Sequence, residues 1–513
     1  MATGIFTPYS TAVPFFAGSK PDYATDDDAE RIQAYQTYEE IYWGESTVGV
    51  EVEDGAPINV PIAKVVVEAI HRFLAVGWNF SILGADPDDK CKLAFTKLFK
   101  REQIQAKVST GKRYGLIRGD AILHVIADPR KAEGTRISIE ELDPASYFPI
   151  YELSAPDKIL GCHIVDQITD ADDKVVIRRL TYRKEFIEDD SSDEPVFTGV
   201  ITSETAIYET AGWDDRFGAK PEDIKLIRVI APEEPLPAQI TALPVYHWKA
   251  TRNPGDLFGS SVLRGIEKVL KSIDQTITDQ DLALALASLG VYATDGGPPE
   301  EGAWAIGPGR VIEHSKDSKF IRVPGITSIT PSLEHVRYLE EKARSGVGVP
   351  AVAAGDVDVS TAESGIALAL KLMPLMAANA ERELEMISVL DHLLYDLQTM
   401  WFPAYEGLSF GEEILVESST KDPMPVNRQA VIDEVVQLLE AGLITLQMAV
   451  DKLKSVGWDY PENAIEDMLL DSARRVKVTD PFAARLEMRD AQSTASSAQS
   501  TADTQESVDV DEA

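Results

Sequence analysis

The spacing of apolar residues changes along this chain, and each change marks a different kind of predicted element. Steps of three and four predict helices at 29–43, 61–76 and 88–114, and a strand-like run follows at 121–126. Between 135 and 250, short β-rich runs separated by turn residues indicate a meandering sheet. Helices beside such a sheet predict an α+β fold. The short runs lie at 136–139, 159–168, 175–182, 200–208, 224–230 and 244–250.

The middle of the chain has a different order of elements. A helix is predicted at 259–289, where Val262, Ile266, Leu270, Ile273 and Ile277 form one apolar stripe. An insert rich in Gly and Pro occupies 290–330, and a second helix follows at 332–345. Small residues fill 346–359, which predicts a loop. The order is therefore helix, insert, helix, loop and then a very long helix.

That long helix is predicted at 361–401. Ser360 and Glu363 form a capping-box pattern at its start. Pro374 lies inside it, removes a backbone donor and is expected to bend it. Against a mean helix length of about 11–12 residues, this length is typical of a helix that braces an extended structure or lies between subunits.

The C-terminal part predicts a small helical module followed by an acidic tail. One helix starts near 427 and ends at Gly442, another begins near Thr445, and a third follows Pro461. Residues 427–475 hold five basic and nine acidic residues, so we favour a plain helical bundle over a helix-turn-helix DNA reader. The tail that follows is rich in Ser, Thr and acidic residues, which predicts disorder.

The charge balance narrows the class of protein. The 513 residues include 49 basic and 85 acidic side chains, a net charge of −36. This excludes a free-standing nucleic-acid binder, which needs a basic face, and attraction to an anionic membrane. Cys91 and Cys162 do not suggest a disulfide framework. We find neither an apolar run of about 18 residues nor a signal-peptide pattern, so no membrane contact is expected.

No catalytic motif stands out. Thr110-Gly111-Lys112 lacks the upstream glycine of a phosphate-binding loop. Gly259-Ser260-Ser261 is not a nucleophile elbow because Leu263 replaces the required glycine. His247 is interpreted as a packed polar residue. The sequence therefore predicts no catalytic residue, no metal site and no cofactor, although a hydrolase that uses a pair of carboxylates stays open as an alternative.

The order of several short motifs resembles the portal proteins of tailed double-stranded-DNA bacteriophages, most closely those of long-tailed phages. The resemblance covers about residues 30–475. Its motifs are Arg118-Gly119-Asp120-Ala121, Leu142-Asp143-Pro144-Ala145-Ser146-Tyr147-Phe148-Pro149-Ile150, Asn253 through Gly265, Gly348-Val349-Pro350, Ser360-Thr361-Ala362-Glu363-Ser364-Gly365 and Ala441-Gly442-Leu443-Ile444.

The resemblance implies a ring, normally of about twelve subunits, at one capsid vertex of the virion, assembled in the host cytoplasm. Double-stranded DNA would pass through it without sequence preference during packaging and ejection. Its other partners would be the major capsid and scaffold proteins, the terminase motor and the head–tail connector. The implied parts are an N-terminal arm (1–28), an α/β wing (29–255), a stem helix (256–289), a β-containing clip (290–330), a second stem helix (331–346), a tunnel loop (347–360), a long kinked wing helix and strand (361–424), a small helical crown (425–475) and an acidic disordered tail (476–513).

The resemblance also implies which residues meet the DNA and the motor. The tunnel loop would face the DNA with short side chains that line a bore without plugging it. Lys342 and Arg344 are possible channel contacts, and the alternative is that they compensate the dipole at a helix C-terminus. The implied tunnel-loop residues are Val349, Pro350, Val352, Gly355, Asp356, Asp358 and Ser360, and the implied clip contacts are Trp304, Arg310, Lys316 and Lys319.

Two alternatives to a portal remain. One is an acidic α+β hydrolase with a carboxylate pair. The other is a capsid adaptor or scaffold protein that lacks a channel.

Overall fold

A computed structural model gives the fold, and the residues it describes fall into two compact units, within 1–423 and 424–513. Both helices and strands are present, as expected for an α+β protein. The described residues are 23–45, 57–74, 77–84, 86, 89–152, 155–169, 175–187, 195–210, 224–289, 291–294, 319–323, 330–355, 365–411, 413–420, 428–455, 458, 460–461 and 465–470.

The first unit alternates helices with antiparallel sheets. Its helices are α1 (Asp26–Trp43), α2 (Ile62–Leu74), α3 (Lys90–Glu102), α4 (Ile104–Arg118), α5 (Glu267–Leu289), α6 (Thr330–Gly346) and α7 (Gly365–Asp396). Its strands are β1 (Trp78–Leu83), β2 (Asp120–Ala127), β3 (Ile137–Leu142), β4 (Tyr147–Glu152), β5 (Ala155–Thr169), β6 (Val175–Ile187), β7 (Val196–Thr210), β8 (Ile224–Pro235), β9 (Val245–Lys249), β10 (Val291–Thr294), β11 (Phe320–Val323) and β12 (Leu415–Thr420).

The predicted meander is confirmed for the runs at 159–168, 175–182, 200–208 and 224–230, whereas the runs at 136–139 and 244–250 lie in β3 and β9 of another sheet. Strands β4 to β8 pair in chain order, each antiparallel to the next. Strand β2, the predicted run at 121–126, lies between β3 and β9 in a separate sheet. Strand β1 was not predicted, and it pairs with β12 from Trp78 opposite Thr420 to Leu83 opposite Leu415.

The prediction of one helix over 88–114 is wrong. Helix α3 ends and α4 begins at Gln103, whose φ is 52°. This left-handed conformation interrupts the helical hydrogen-bond ladder, and it is uncommon for a residue other than glycine. Helices α3 and α4 are therefore separate, and α3 has its own buried side and its own exposed side.

Helix α1 begins with a capping box. The Asp28 carboxylate accepts a hydrogen bond from Thr25 N at 2.9 Å, and Asp28 N donates to Thr25 Oγ1 at 3.3 Å. Asp28 is buried, and it also pairs with Arg31 at 2.9 Å.

The first core helix starts later than predicted, at Glu267 rather than at 259. Residues 253–266, which we call the entry turn, form turns instead. Gly265 adopts a φ of 94° just before the helix, a conformation that suits glycine. Val262, Leu263 and Ile266 are buried, so the apolar stripe of the prediction anchors the turn as well as the helix.

The long helix α7 passes through Pro374 and continues as a π-helical segment at Leu397–Glu406. Its predicted cap at Ser360–Glu363 lies outside the described residues. In the second unit, α8 (Arg428–Glu440) is followed by Gly442 with a φ of 70°, then by α9 (Leu446–Ser455), and residues 465–470 are helical. These positions agree with the predicted helical module.

Candidate functional site

Helices α5 and α6 form an antiparallel pair. Between them in the chain lies a small β-ladder. Strands β10 and β11 pair antiparallel, from Val291 opposite Val323 to Thr294 opposite Phe320. Gln280 donates a hydrogen bond to Ser332, near the β-ladder, and Ile266 contacts Gly346 at the opposite end. The start of α5 therefore lies beside the end of α6.

A buried carboxylate joins the entry turn to the rest of the first unit. Asp120 is fully buried at the start of β2. Its carboxylate accepts hydrogen bonds from Tyr35 of α1, from His247 Nε2 of β9 at 2.7 Å and from the backbone N–H of Gly259 at 2.7 Å. Three separate segments thus meet at one side chain, and we call these four residues the Asp120 cluster.

The charge of this cluster affects its neighbours. Burial and the Asp120 carboxylate both raise the pKa of Tyr35 well above its usual value, so the hydroxyl stays a donor. His247 is mostly buried and packs its ring against Tyr147 and Phe258, with centroids 5.5 and 5.6 Å apart. It lies as a packed polar residue, as the sequence suggests.

Two glycines allow the close approach that the cluster needs. A side chain at Gly119 would collide with the backbone of Gly259, and one at Gly259 would collide with the backbone of Gly119. Gly119 also has a φ of 101°. Further backbone hydrogen bonds fix the turn, from Ser260 N to Thr251 O at 3.0 Å and from Val262 N to Leu116 O at 3.1 Å.

A second set of contacts holds the first half of α5. Asp274 Oδ1 accepts a hydrogen bond from Val60 N at 2.9 Å, and Thr278 Oγ1 accepts one from Ile58 N at 3.0 Å. Burial raises the pKa of Asp274 and the hydrogen bond from Val60 opposes this. The segment before α2 therefore lies along the base of α5.

A cationic network reinforces the same region. Arg118 is fully buried and contacts Glu39 at 2.5 Å and Asp143. Burial lowers the pKa of Arg118, but the two carboxylates outweigh it and raise the pKa above its usual value. Arg31 stacks on Phe258 of the entry turn, with 4.0 Å between the guanidinium carbon and the ring centroid.

The loop after α6 is compact over the residues that the structure describes. Val349 N donates to Arg344 O at 2.9 Å and Ala353 N donates to Pro350 O at 2.9 Å. Val349 is only 2% exposed, so its side chain anchors the loop and is not presented to a channel in this conformation. Gly355 is exposed with a φ of 91°. Of the other predicted loop residues, Pro350 and Val352 are half-buried, and Asp356, Asp358 and Ser360 lie outside the described residues.

The remaining predicted contacts are only partly placed. Lys342 is exposed and its Nζ lies 5.2 Å from the centroid of the Tyr338 ring. Arg344 is half-buried in the last turn of α6, and Lys319 is exposed just before β11. Of the predicted clip residues, Trp304, Arg310 and Lys316 lie outside the described residues.

The structure gives no particular support to a carboxylate-pair hydrolase. A cleft of about 730 Å³ lies between α1 and the entry turn and is lined by both acidic and basic side chains. Its most buried carboxylate, Asp28, is already held by Thr25 and Arg31. Over the described residues, no three His, Cys, Asp or Glu side chains are grouped so that they could hold a metal. Among the described residues, no helix is both long enough and apolar enough to cross a bilayer.

Comparison with known proteins gives matches among solved structures. No protein-family model and no curated protein matches the chain. Among solved structures, it is similar to a chain described as "Virion of native gene transfer agent (GTA) particle", with a TM-score of 0.40 and 12% identity, over 84% of this chain and 93% of that one. At this TM-score we take nothing about function from the alignment.

Proposed function

We propose that this protein is a phage portal: a ring-shaped, non-enzymatic conduit at one capsid vertex through which double-stranded DNA is packaged and ejected. The observation that carries the proposal is the antiparallel helix pair α5–α6. A β-ladder lies between the two helices in the chain, and the base of the pair, which is the entry turn and the start of α5, is firmly anchored. A short loop and the long helix α7 follow this pair in the chain. In the portal interpretation, the pair α5–α6 is the stem and the β-ladder belongs to the clip. The short loop is then the tunnel loop, and α7 is the long wing helix.

The anchoring of the base supports this proposal on physical grounds. A protein that guides DNA must hold its channel-forming elements at a fixed orientation while the DNA moves. The Asp120 cluster joins the entry turn, which leads into α5, to β2, α1 and β9, and the Asp274–Val60 hydrogen bond joins α5 to the segment before α2. Both acceptors are carboxylates, which form stronger hydrogen bonds than neutral groups do.

The charge of the chain also fits a conduit. At −36 per chain, a ring of copies repels phosphates, so DNA can slide without being gripped. Within the loop we assign contact with the DNA to Pro350, Val352, Gly355, Asp356, Asp358 and Ser360, and we assign an anchoring role to Val349. Lys342 is exposed at the approach to the loop, where it offers a cation to passing phosphates.

The proposal includes the partners of a portal. Residues Trp304, Arg310, Lys316 and Lys319 of the clip would meet the terminase motor and later the head–tail connector. About twelve copies would form the ring, which would contact capsid and scaffold proteins.

Deleting 352–359 tests the functional assignment. We expect rings to form at the wild-type yield while DNA packaging into proheads is blocked or slowed. Deleting the equally long segment 503–510 from the acidic tail is the matched control and should leave packaging unchanged. If the loop deletion prevents ring formation, the loop is a structural element and the assignment is wrong. If packaging proceeds normally, the loop does not act on the DNA.

A further inference from the structure

Helix α3 presents a basic face in a strongly acidic chain. Its 13 residues include five basic side chains and one acidic side chain. Cys91, Phe95 and Phe99 are buried on one side of the helix. The residues on the opposite side are exposed, and they are Lys90, Leu93, Lys97 and Lys100. Leu93 is 51% exposed, so this face is a lysine surface with an apolar centre.

The two-stranded sheet β1–β12 presents a face of the opposite charge. Leu83 and Leu415 are directly opposed in the ladder and are 48% and 44% exposed. Glu413 and Glu417 lie two residues to either side of Leu415, and both are exposed, while Ile414 and Val416 between them are buried. This face is therefore an acidic surface with an apolar centre.

The two faces belong to one packed module and point away from each other. The rings of Trp78 and Phe80, on the inner side of β1, contact Phe99 of α3 with centroids 5.2 Å apart in each pair. The inner side of α3 is thus covered by the inner side of the sheet. The outward face of each element lies on the far side, so the two faces cannot cover each other within one chain.

Each face carries charges that are not neutralised within the described part of the chain. Lys97, Lys100, Glu413 and Glu417 form no ion pair with any residue placed there. Exposed apolar residues ringed by polar ones mark protein–protein contact sites. Each face therefore has the composition of half of an interface.

Both faces place two charges beside an exposed leucine. Lys97 and Lys100 lie one and two helical turns from Leu93 on α3. Glu417 lies in β12, two residues after Leu415, and Glu413 lies two residues before Leu415, just ahead of the strand. The charges on the two faces have opposite sign.

We infer that the basic face of α3 on one copy binds the acidic face of β1–β12 on a second copy. Such a contact is heterologous, because each copy offers two different surfaces, and a heterologous contact closes into a ring when the rotation between copies allows it. The inference deepens the proposed function and rests on it, since it names the surfaces that join neighbouring subunits. Repulsion between like faces would also exclude head-to-head pairing.

Charge reversal on each face tests this contact. Lys97→Glu with Lys100→Glu makes both faces acidic, and Glu413→Lys with Glu417→Lys makes both basic. We expect each double variant to need an about tenfold or higher chain concentration for ring assembly. The fourfold variant, in which both faces are swapped, should assemble again, and a mixture of the two double variants should assemble better than either alone. Arg183→Glu, on the exposed surface of β6, is the matched control.

The readouts are the mass in solution at several salt concentrations and the circular dichroism spectrum, which shows that each variant is folded. If rings form and the double variants assemble like the wild type, the inference is overturned while the ring stands. It is also overturned if the lysine variants assemble normally but lose DNA retention, because the basic face would then serve nucleic acid.

A cysteine pair separates failure of this contact from failure of the ring. The native cysteines are both buried, so Leu93→Cys with Leu415→Cys places new thiols on the two faces. Under mild oxidation we expect disulfide-linked multimers from the double variant and at most dimers from either single variant. If the wild type is monomeric but the disulfide-linked multimers form, the contact between the two faces is supported and the proposed ring is contradicted. If neither rings nor linked multimers form, both are overturned.

Discussion

The two halves of helix α5 differ in apolar content and in surroundings. Residues 267–277 include four apolar side chains and residues 279–289 include seven. In the first half, Leu270 and Ile273 are buried, and Asp274 and Thr278 accept hydrogen bonds from the segment before α2. In the more apolar second half, Leu282 and Leu284 are 40% and 44% exposed. Burial therefore depends on which elements reach the helix and not on its apolar content. The first half fixes the direction of the helix pair, and Leu282 and Leu284 remain available to other molecules.

The largest effect should come from removing the carboxylate that anchors the base. Asp120→Ala leaves three buried donors without an acceptor, and each such loss costs about 1–3 kcal/mol, so we expect destabilisation of about 3 kcal/mol or more. Urea denaturation of the full chain measures it. Asp166→Ala is the control, because Asp166 pairs with Arg178 at an exposed site, where a pair contributes about 0–1 kcal/mol. Equal effects from the two variants would contradict the anchoring role.

A matched pair of apolar truncations compares the two halves directly. Ile273→Ala opens a cavity at a fully buried position and should cost about 2–5 kcal/mol. Leu284→Ala changes an exposed side chain and should alter the stability of the single chain by no more than about 0.5 kcal/mol. Denaturation of the monomeric chain would measure both changes in stability. A large loss for Leu284→Ala in the monomer would show that the second half is buried within one chain.

Two carboxylates on the same helix give a smaller contrast. Asp274→Ala removes the acceptor for Val60 N and should cost about 1–2 kcal/mol, whereas Asp281→Ala, at an exposed position, should cost little. Hydrogen exchange at the amide of Val60 reads out the same contact locally. This amide should exchange faster only in the Asp274 variant, and unchanged exchange would mean that this hydrogen bond does not hold the segment.

A dependence on pH at Glu141, away from the helix pair, gives a contrast of a different kind. Burial raises the pKa of Glu141 to about 8, although Lys107 opposes this. The folded chain therefore keeps a proton that the unfolded chain has released, and stability falls as pH rises from about 4.5 to about 8. Glu141→Gln should match the wild type near pH 4 and melt at a higher temperature near pH 8. The exposed neighbour Glu140, changed to Gln, is the control and should show no such trend.

Local patterns predicted most elements of the fold. The meander, β2, the helix pair and the second-unit helices follow from apolar spacing and turn residues, which act over a few neighbouring positions. The break between α3 and α4 was missed because Gln103 gives no glycine or proline signal. Strand β1 was missed because its pairing partner, β12, lies more than 330 residues away in the sequence.

The anchoring site could be predicted only in part. Asp120 begins a strand whose other residues are apolar except for His124, which is a readable signal of a buried carboxylate that requires partners. Its donors come from α1, β9 and the entry turn, and no local pattern shows that these segments meet. The basic face of α3 was also readable, since four lysines stand in 13 residues of an acidic chain, but its acidic counterpart requires the alternation along β12 and the ladder with β1.

The mass of the purified protein in solution, together with negative-stain images, tests the central claim most directly. One chain has a mass of 56.2 kDa. We expect a closed ring of about twelve chains with a central hole. A species that stays at the mass of one chain at every concentration, with no rings in the images, would contradict the portal proposal.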